Sequence, residues 1–330
     1  DFFPDKEGKI KKKIILKVSD YRSALIQGKF LAKKGLWVSE FRIESGLNCG
    51  GHAFASDGYL LGPILEEFKE NKESLFKTLF DLLASTLKQE NREIPTTVPA
   101  TAVTVQGGVG TAAEHEFLLD YYKVDAVGWG TPFMLVPEVV NVDEKTLDRL
   151  SNADEDQLYL SHLSPLGVPF NTVKGSSAFE EIQSKVEAGK PGAKCIKKHL
   201  TFNKEYTDTP ICTASIQYQN KKIRELQQQN HAPSVLKNKM KEVLEKMCLC
   251  VGLSNQVVIQ NDLNPSKGIK GVAVCPGPNL AYFSKIVALR EMVDHIYGRI
   301  NLISRVDRPH MFIKELKMYI DFLREKMADT

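Results

Sequence analysis

Two glycine-rich segments in the first half of the chain could hold a phosphate group. Each follows a short apolar segment of strand-like composition, and the first also opens a helix-like segment. Glycine allows backbone N–H groups to approach a phosphate closely, and a helix N-terminus favours the phosphate charge. Two consecutive units that end in this way predict one shared phosphate site, with tight turns alone as the simpler alternative. The residues concerned are Gln106, Gly107, Gly108, Gly128, Gly130 and Thr131.

A histidine follows a third glycine-rich segment, closer to the N-terminus. His52 comes directly after Gly50 and Gly51, and the segment again follows a predicted strand. An imidazole with its ordinary pKa near ~6.5 can donate or accept a proton around neutral pH. We therefore treat His52 as the candidate acid or base, with a hydrogen-bonding role in the loop as the alternative.

Five cysteines in the second half of the chain could bind a metal. Thiolates are soft ligands that suit zinc and iron–sulfur clusters. Cys248 and Cys250 would face different sides of one helix, so the predicted set includes Cys250 and leaves Cys248 out. The alternative is a group of buried reduced thiols, which are common core residues. The preferred ligands are Cys195, Cys212, Cys250 and Cys275.

The elements that position these residues alternate between strand and helix over residues 13–130. Apolar, β-branched segments predict strands at 13–18, 36–43, 101–105 and 124–127. Helical spacing and capping residues predict helices at 21–34, 60–88 and 112–122. A glycine-rich loop at 45–58 follows the second strand. This alternation predicts a parallel sheet with right-handed crossovers, whose functional residues collect at the carboxyl ends of the strands.

The second half of the chain has a different composition. Residues 160–195 are rich in proline and glycine and are predicted to be irregular. Apolar residues near helical spacing predict helices at 217–229, 234–247, 279–297 and 310–327. The sequence therefore divides into an α/β part at residues 1–140 and a mostly helical extension at residues 141–330, which carries the candidate metal ligands.

The composition excludes several classes of protein. The 330 residues are 42% hydrophobic and 26% charged, which supplies a core and argues against global disorder. The 44 basic and 41 acidic residues give a net charge of +3, too balanced to indicate a nucleic-acid-binding protein. Apolar runs stay below the ~20 residues of a membrane span, and the N-terminus lacks the apolar core of a signal peptide. We expect a reduced, cytoplasmic protein.

Residues 36–135 resemble the last part of the nitronate monooxygenases, or 2-nitropropane dioxygenases, a group of FMN-dependent TIM barrels. NCGGHAF is similar to the EAGGH segment of that group, VTVQGGVGT to its AAGGI phosphate loop, and VDAVGWGTPFM to its following strand and loop. Flavin enoyl-ACP reductases belong to the same group, and glutamate synthase-type barrels look similar at the phosphate loops. Asn48 and Cys49 replace the usual Glu-Ala, and Pro132 stands where arginine is frequent.

The resemblance implies roles for the candidate residues. His52 would be the acid or base beside the flavin, and Gly50 and Gly51 would let the chain pass close to the flavin ring. Backbone groups of two loops would hold the FMN phosphate. The residues of those loops that match the motifs are Gly107, Gly108, Gly130 and Thr131.

The resemblance also implies a fold. Phosphate loops in such barrels follow strands seven and eight, so the strand at 13–18 would be strand five. The chain would be α/β, the C-terminal half of a (β/α)8 TIM barrel (strands five to eight) followed by a mostly helical extension. Half a barrel leaves an unpaired edge on each side. We therefore expect the N-terminal half of the barrel to come from a missing segment or a second chain.

These features predict an FMN-dependent oxidoreductase that acts on a small organic or acyl substrate. An electron donor would be a further partner, and an iron–sulfur cluster or zinc in the extension would be a second cofactor. Two alternatives stay open. One is a non-redox protein that binds a phosphorylated ligand, or a scaffold whose C-terminal region docks a partner. The other keeps the barrel but carries out isomerase or lyase chemistry on a phosphosugar.

Overall fold

The computed structural model of the chain describes residues 2–54, 60–264 and 267–328. Within these ranges the strands are β1 (Ile14–Val18), β2 (Val38–Glu44), β3 (Gly51–His52), β4 (Ala102–Gln106), β5 (Ala126–Gly128), β6 (Leu158–Ser161) and β7 (Phe170–Val173). The helices there are α1 (Tyr21–Ala32), α2 (Leu61–Gln89), α3 (Ala112–Asp120), α4 (Glu144–Ser151), α5 (Ser177–Glu187), α6 (Ile216–Gln228), α7 (Pro233–Leu244), α8 (Leu249–Gly252), α9 (Asn255–Gln260), α10 (Leu289–Ile296) and α11 (Met311–Ala328). Residues 55–58 of the predicted glycine-rich loop lie outside the described residues.

The strands β1, β2, β4 and β5 form a parallel sheet in that order. The helices α1, α2 and α3 join successive strands, so the predicted α/β class with a parallel sheet is confirmed. Phe41 and Ile43 are fully buried in the apolar cluster beneath α1 and α2. Glu40 and Arg42 alternate with them and hydrogen-bond to each other. The sheet therefore has an apolar face covered by helices and an opposite face that is polar.

A second, antiparallel sheet within the described residues has the strand order β3-β7-β6. Its strand β3 carries Gly51 and His52, which pair with Asn171 and Phe170 of β7. This pairing fastens the loop after β2 to the second half of the chain. The prediction that residues 160–195 are irregular is wrong, because β7 and α5 lie there. Every residue of β7 is buried, so it lacks the alternation by which a strand is recognised.

The helix predicted at residues 279–297 is wrong in its first half. A 3₁₀ turn at Pro278–Tyr282 is followed by extended chain before α10 begins. Phe283 forms an antiparallel bridge with Ile303. Because its backbone is paired with a distant segment, this stretch cannot make helical hydrogen bonds, and its apolar spacing reflects core packing. The other predicted strands and helices are confirmed with ends shifted by a few residues.

No helix among the described residues combines the length and the apolar composition that are needed to cross a bilayer.

A buried ion pair connects α3 to the chain that leads into α11. The Glu114 and Arg308 side chains are 2% and 6% exposed, and two N–O distances of 2.8 Å make the contact bidentate. Glu114 also accepts the backbone N–H groups of Gly110, Thr111 and Met311. One carboxylate therefore satisfies the N-terminus of α3 and fixes the start of α11.

A second buried carboxylate, Glu315 of α11, has the same function at the N-terminus of α2. The residue before α2 is Leu60, whose apolar side chain cannot cap the helix. Glu315 is 1% exposed and accepts the N–H of Leu61 at 2.8 Å together with the hydroxyl of Ser45. Burial raises the pKa of Glu315. Polar bonds therefore dock α11 to α2 and to the loop after β2.

We expect Arg308→Met to lower the free energy of unfolding by about 3–5 kcal/mol, because it leaves the Glu114 carboxylate buried without its counter-charge. The double variant Arg308→Met/Glu114→Gln should recover part of this loss. Urea unfolding followed by circular dichroism measures both. Arg324→Met is the matched control, since Arg324 pairs with Asp321 at 76% and 53% exposure. An exposed pair contributes less than about 1 kcal/mol, so an equal loss in the control would contradict this interpretation.

Candidate functional site

A cavity of roughly 320 Å³ opens at the carboxyl ends of β2, β4 and β5. Its wall contains the last residue of each of these strands, Glu44, Gln106 and Gly128. Both predicted phosphate loops reach this glycine-loop cavity, as a shared site requires. The lining residues that the sequence singles out as candidates are Gly50, Gln106, Gly107, Gly108, Gly128, Gly130 and Thr131.

The glycines that line this cavity are present for different structural reasons. Gly107 and Gly108 have φ angles of +108° and +84°, a region that favours glycine. A Cβ on Gly108 would lie 2.0 Å from Asn48 Nδ2, so turn and packing alone require glycine there. Gly130 has a φ of −121°, and a Cβ on it would meet none of the described atoms within 4 Å. Its missing side chain leaves open space in the cavity wall, as expected where a backbone approaches a ligand.

The N-terminus of α3 is less open to an anion than the sequence indicates. Thr111 and Glu114 form a capping box. The Glu114 carboxylate accepts the N–H groups of Gly110 and Thr111 at 2.9 and 3.2 Å. A phosphate would compete with this carboxylate for the same donors. The helix N-terminus therefore contributes less than predicted, and the loop backbone that lines the cavity lies upstream, at residues 107–109.

Residues 275–279 of the extension close one side of the cavity. The N–H of Gly277 donates to Thr131 Oγ1 at 3.0 Å. A Cβ on Gly50 would lie 2.4 Å from the carbonyl oxygen of Cys275, so the two backbones touch. The sequence analysis predicts Cys275 as a metal ligand and a helix from residue 279 onward in this stretch. It does not predict that the stretch forms a cavity wall. The run Cys-Pro-Gly-Pro is the signal for it, because prolines so spaced interrupt a helix and shape a loop.

Asn48 lines the cavity and has one buried polar atom without a partner among the described residues. Its side chain is 3% exposed, and its Nδ2 donates to the Met311 carbonyl at 3.4 Å. Its Oδ1 has no hydrogen-bond partner among the described residues. An acceptor that stays unsatisfied in a buried position costs about 1–3 kcal/mol. Because this oxygen is itself buried, a ligand in the cavity could reach it only after the side chain moves.

A charged wall separates the glycine-loop cavity from a neighbouring one. Glu44 pairs with Lys17 and accepts a hydrogen bond from Gln106 Nε2 at 2.7 Å. The neighbouring cavity, of roughly 270 Å³, is lined by Lys17, Glu44 and His52 among others. His52 therefore lies beside the glycine-loop cavity and shares Glu44 with it. Gly51, with a φ of +78°, lies in β3 and lines neither cavity.

His52 is held in a fixed orientation. Its Nε2 lies 2.7 Å from the Ser164 hydroxyl, and its ring meets Phe170 edge to face with 5.0 Å between centroids. Burial lowers the pKa of His52, and the charge of Lys17 lowers it further. The imidazole is therefore neutral at neutral pH and able to accept a proton.

The Cys49 thiol lies at the glycine loop without being activated. Its Sγ donates to the Gln106 carbonyl at 3.8 Å. Burial raises the pKa of Cys49, and the nearby Glu44 carboxylate raises it further. A protonated, buried thiol is a poor nucleophile. The Cys49 side chain packs against Gly107, since a Cβ added to Gly107 would lie 2.5 Å from this sulfur. A packing role therefore accounts for the cysteine at this position.

The predicted metal ligands are not brought together. Cys275 lines the glycine-loop cavity, whereas Cys195 and Cys212 line a separate cavity of roughly 580 Å³ in the extension. No group of three or more histidine, cysteine, aspartate or glutamate side chains in the described residues is arranged to hold a metal ion. The predicted set is therefore corrected, because its members Cys195, Cys212, Cys250 and Cys275 do not surround one point.

Comparison with known proteins finds distant likenesses. No family model matches the chain, and no curated protein matches it. Among solved structures, it is similar to FabK from Thermotoga maritima, with 14% identity, a TM-score of 0.39, and coverage of 98% of this chain and 68% of FabK. It is also similar to the enoyl reductase domain of MlnA from the macrolactin biosynthesis cluster of Bacillus amyloliquefaciens, with 15% identity, a TM-score of 0.43, and coverage of 99% and 72%. These scores are too low to carry an argument, so function rests on the site.

We expect His52 to titrate at lower pH in the folded chain than in urea, where its pKa returns to about 6.5. NMR of the imidazole protons measures both, with His52→Gln for assignment. Because the folded pKa is the lower one, the linked stability is present above the unfolded value and lost as the pH falls through the folded value. Ser164→Ala is the control, since it leaves burial and Lys17 in place. A folded pKa at or above the unfolded one would contradict the assignment.

Proposed function

We propose that this chain carries the phosphate-binding part of an FMN-dependent oxidoreductase that acts on a small organic or acyl substrate. The proposal rests on one observation: two glycine loops and Gly50 converge on a single cavity at the carboxyl ends of parallel strands. Ligands of parallel α/β sheets and barrels bind at that edge. The two loops belong to VTVQGGVGT and VDAVGWGTPFM, the segments that resemble FMN phosphate loops.

The cavity residues fit a phosphorylated ligand. Gly107 and Gly108 bring backbone to the wall without side chains, and Gly130 leaves open space. The volume of roughly 320 Å³ lies at the low end of ligand pockets, about 300–1,000 Å³. A small pocket is consistent with a site to which other strands also contribute.

FMN would supply the hydride or electron transfer, and the proton transfer would fall to this chain. His52 is neutral at neutral pH and oriented by Ser164, so it is suited to take a proton from the substrate or to return one. The neighbouring Lys17–Glu44 pair places fixed charges between His52 and the glycine loops. Isomerase or lyase chemistry on a phosphosugar would use the same loops, with Glu44 and Lys17 as its acid–base groups, and FMN binding distinguishes it from the proposed function.

The edges of the parallel sheet support the proposal that further strands complete it. Among the described residues β1 and β5 are the outer strands. Ile15 on β1 is 47% exposed, and Ile26 and Phe30 on α1 are 57% and 62% exposed. Open edges and exposed apolar side chains are unfavourable in water. On this proposal, the N-terminal half of a (β/α)8 barrel, from another segment or a second chain, covers them, and the present strands are five to eight.

We expect the chain, assembled with the strands that complete its sheet, to bind FMN, and Gly130→Ala to weaken binding by about 1–3 kcal/mol, or about fivefold to 150-fold in Kd, because the methyl group fills space that the ligand needs. Titration of FMN fluorescence measures the Kd. Gly62→Ala is the matched control, since a Cβ on Gly62 in α2 makes ordinary contact with the Tyr122 hydroxyl at 3.5 Å. Urea unfolding checks that both variants stay folded.

The outcomes separate the proposed function from its alternatives. Equal FMN affinity in Gly130→Ala and Gly62→Ala would place the ligand elsewhere. Binding of inorganic phosphate without FMN binding would favour the non-redox phospho-ligand protein. Failure of both to bind in a preparation that includes the completing half of the barrel would mean that the glycines serve turns alone, and the proposal would be lost.

His52→Gln should lower turnover by about 10²–10⁴-fold while FMN stays bound, because positioned proton transfer contributes that much. The FMN-loaded protein is assayed with a 2-enoyl thioester plus reduced nicotinamide and, separately, with a nitronate, which distinguishes the two substrate classes. Ser164→Ala should give a smaller loss, since it removes the orienting contact and keeps the imidazole. Unchanged turnover in His52→Gln would exclude the acid–base role.

A further inference from the structure

The cavity that contains His52 also contains an ammonium group. We call this space of roughly 270 Å³, lined by Lys17, Glu44 and His52 among others, the His52 cavity. Lys17 is the fourth of the five residues of β1, and Glu44 is the last residue of β2. Ligands of parallel sheets and barrels bind at this end of the strands. Lys17 therefore lies where a substrate would be expected.

The register of the parallel sheet places Lys17 on its polar face. Lys17 pairs with Arg42 of β2, and Arg42 pairs with Thr104 of β4. Val18 is 3% exposed and belongs to the apolar cluster beneath the helices, whereas the Lys17 side chain is 52% exposed. Successive side chains of a strand point to opposite faces, so Lys17 points away from the helices. Bulky apolar side chains dominate that face in a TIM barrel, so packing does not explain a lysine there.

The ion pair of Lys17 with Glu44 leaves part of the ammonium group available. Lys17 contacts Glu44 Oε2, whereas Gln106 Nε2 donates to Glu44 Oε1 at 2.7 Å. Each oxygen of the carboxylate thus has its own partner, which fixes Glu44 in the wall between the two cavities. An ammonium group has several N–H donors. Lys17 can therefore keep its ion pair and still donate a hydrogen bond to a ligand.

Phe54 connects Lys17 with His52. The Lys17 Nζ lies 5.6 Å from the centroid of the Phe54 ring, and the centroid of the His52 ring lies 6.4 Å from the same point. All three side chains line the His52 cavity. The charge of Lys17, which lowers the pKa of His52, agrees with this arrangement. A small ligand in the cavity can therefore meet the ammonium group and the imidazole together.

An ammonium group beside a neutral imidazole suits a substrate with an oxygen that carries or gains negative charge. When a base takes a proton from the carbon next to a carbonyl, the C–H bond breaks and its electron pair moves onto the carbonyl oxygen. The proton would go to His52. A nitronate already carries negative charge on its oxygens. In both cases a fixed cationic donor at the oxygen stabilises that charge.

We propose that Lys17 binds the substrate oxygen in the His52 cavity and stabilises the negative charge on it. This inference rests on the proposed function, because it takes His52 as the acid or base, and it adds the position and the chemistry of the substrate. The recognised group is a carbonyl or nitronate oxygen. A purely structural role of Lys17, as the partner of Glu44, is the alternative that the experiment must distinguish.

The experiment measures the binding of crotonamide, a small 2-enoyl amide, to the FMN-loaded protein assembled with the strands that complete its sheet. NMR of the His52 imidazole protons follows the titration. Lys17→Met should weaken binding at least about tenfold, because a charge-assisted hydrogen bond is lost. Lys17→Arg should recover most of the affinity. Lys13→Met is the matched control, since Lys13 is an exposed lysine directly before β1, and it should bind as the parent does.

Turnover distinguishes the two sources of the oxygen. With the 2-enoyl thioester and with the nitronate in separate assays, Lys17→Met should lower kcat by about 10²–10³-fold on the substrate that the protein uses, as for a lost donor to a developing oxyanion. FMN affinity should be the same in Lys17→Met and Lys13→Met. Unchanged turnover of both substrates in Lys17→Met would overturn the proposal.

Glu44→Gln separates substrate binding from a structural role. It removes the ion pair and keeps the ammonium group, so its effect on crotonamide affinity should be smaller than that of Lys17→Met. An equal or larger effect would mean that Lys17 acts through Glu44, and the proposal would be wrong. Urea unfolding checks that the Lys17 and Glu44 variants stay folded.

The outcomes also separate this inference from the proposed function. When the parent protein binds FMN but crotonamide leaves the His52 protons unchanged, the assignment of Lys17 is overturned and the proposed function stands. Equal crotonamide affinity in Lys17→Met and Lys13→Met leads to the same conclusion. Lack of FMN binding by the assembled parent protein overturns the proposed function, and this inference with it.

Discussion

The Glu114 carboxylate is the contact on which the glycine-loop cavity depends most. It accepts the N–H groups of Gly110 and Met311 and pairs with Arg308, which in turn donates to the Gly108 carbonyl at 2.9 Å. The phosphate-type loop, the first turn of α3 and the start of α11 therefore meet at one buried ion pair. Such a pair adds little net free energy, but loss of one partner is costly, so it fixes geometry more than it adds stability.

This arrangement also determines where an anion can bind. The Glu114 charge occupies the N-terminus of α3, the position that a phosphate would otherwise take. Arg308 neutralises that charge, so the loop does not repel an anion as an unpaired carboxylate would. The binding energy for a phosphate must then come from the backbone of Gly107 and Gly108 and from the open side of Gly130. The cavity would therefore bind a phosphate through backbone groups, next to the N-terminus of α3, whose charge Glu114 and Arg308 balance.

The sequence predicts the features that local chemistry determines. The strands around Phe41 and Val105 follow from apolar, β-branched composition, and the cavity at Gly107 and Gly130 follows from glycines at the ends of parallel strands. Features that depend on distant contacts are missed. Residues 275–279 close the cavity through bonds to loops more than a hundred positions away in the chain, such as that from Gly277 to Thr131. No periodicity encodes such a contact.

Contacts between separate segments also position the cavity wall itself. Helices α8 and α9 hold the chain that leads into the cavity wall: Asn255 donates to the carbonyls of Ile269 and Gly271, and Gln256 to that of Ala273. The N–H of Ala273 donates in return to the Gly252 carbonyl. Residues 275–279 begin directly after this anchored stretch. The position of the wall that faces the glycine loops therefore depends on hydrogen bonds to α8 and α9.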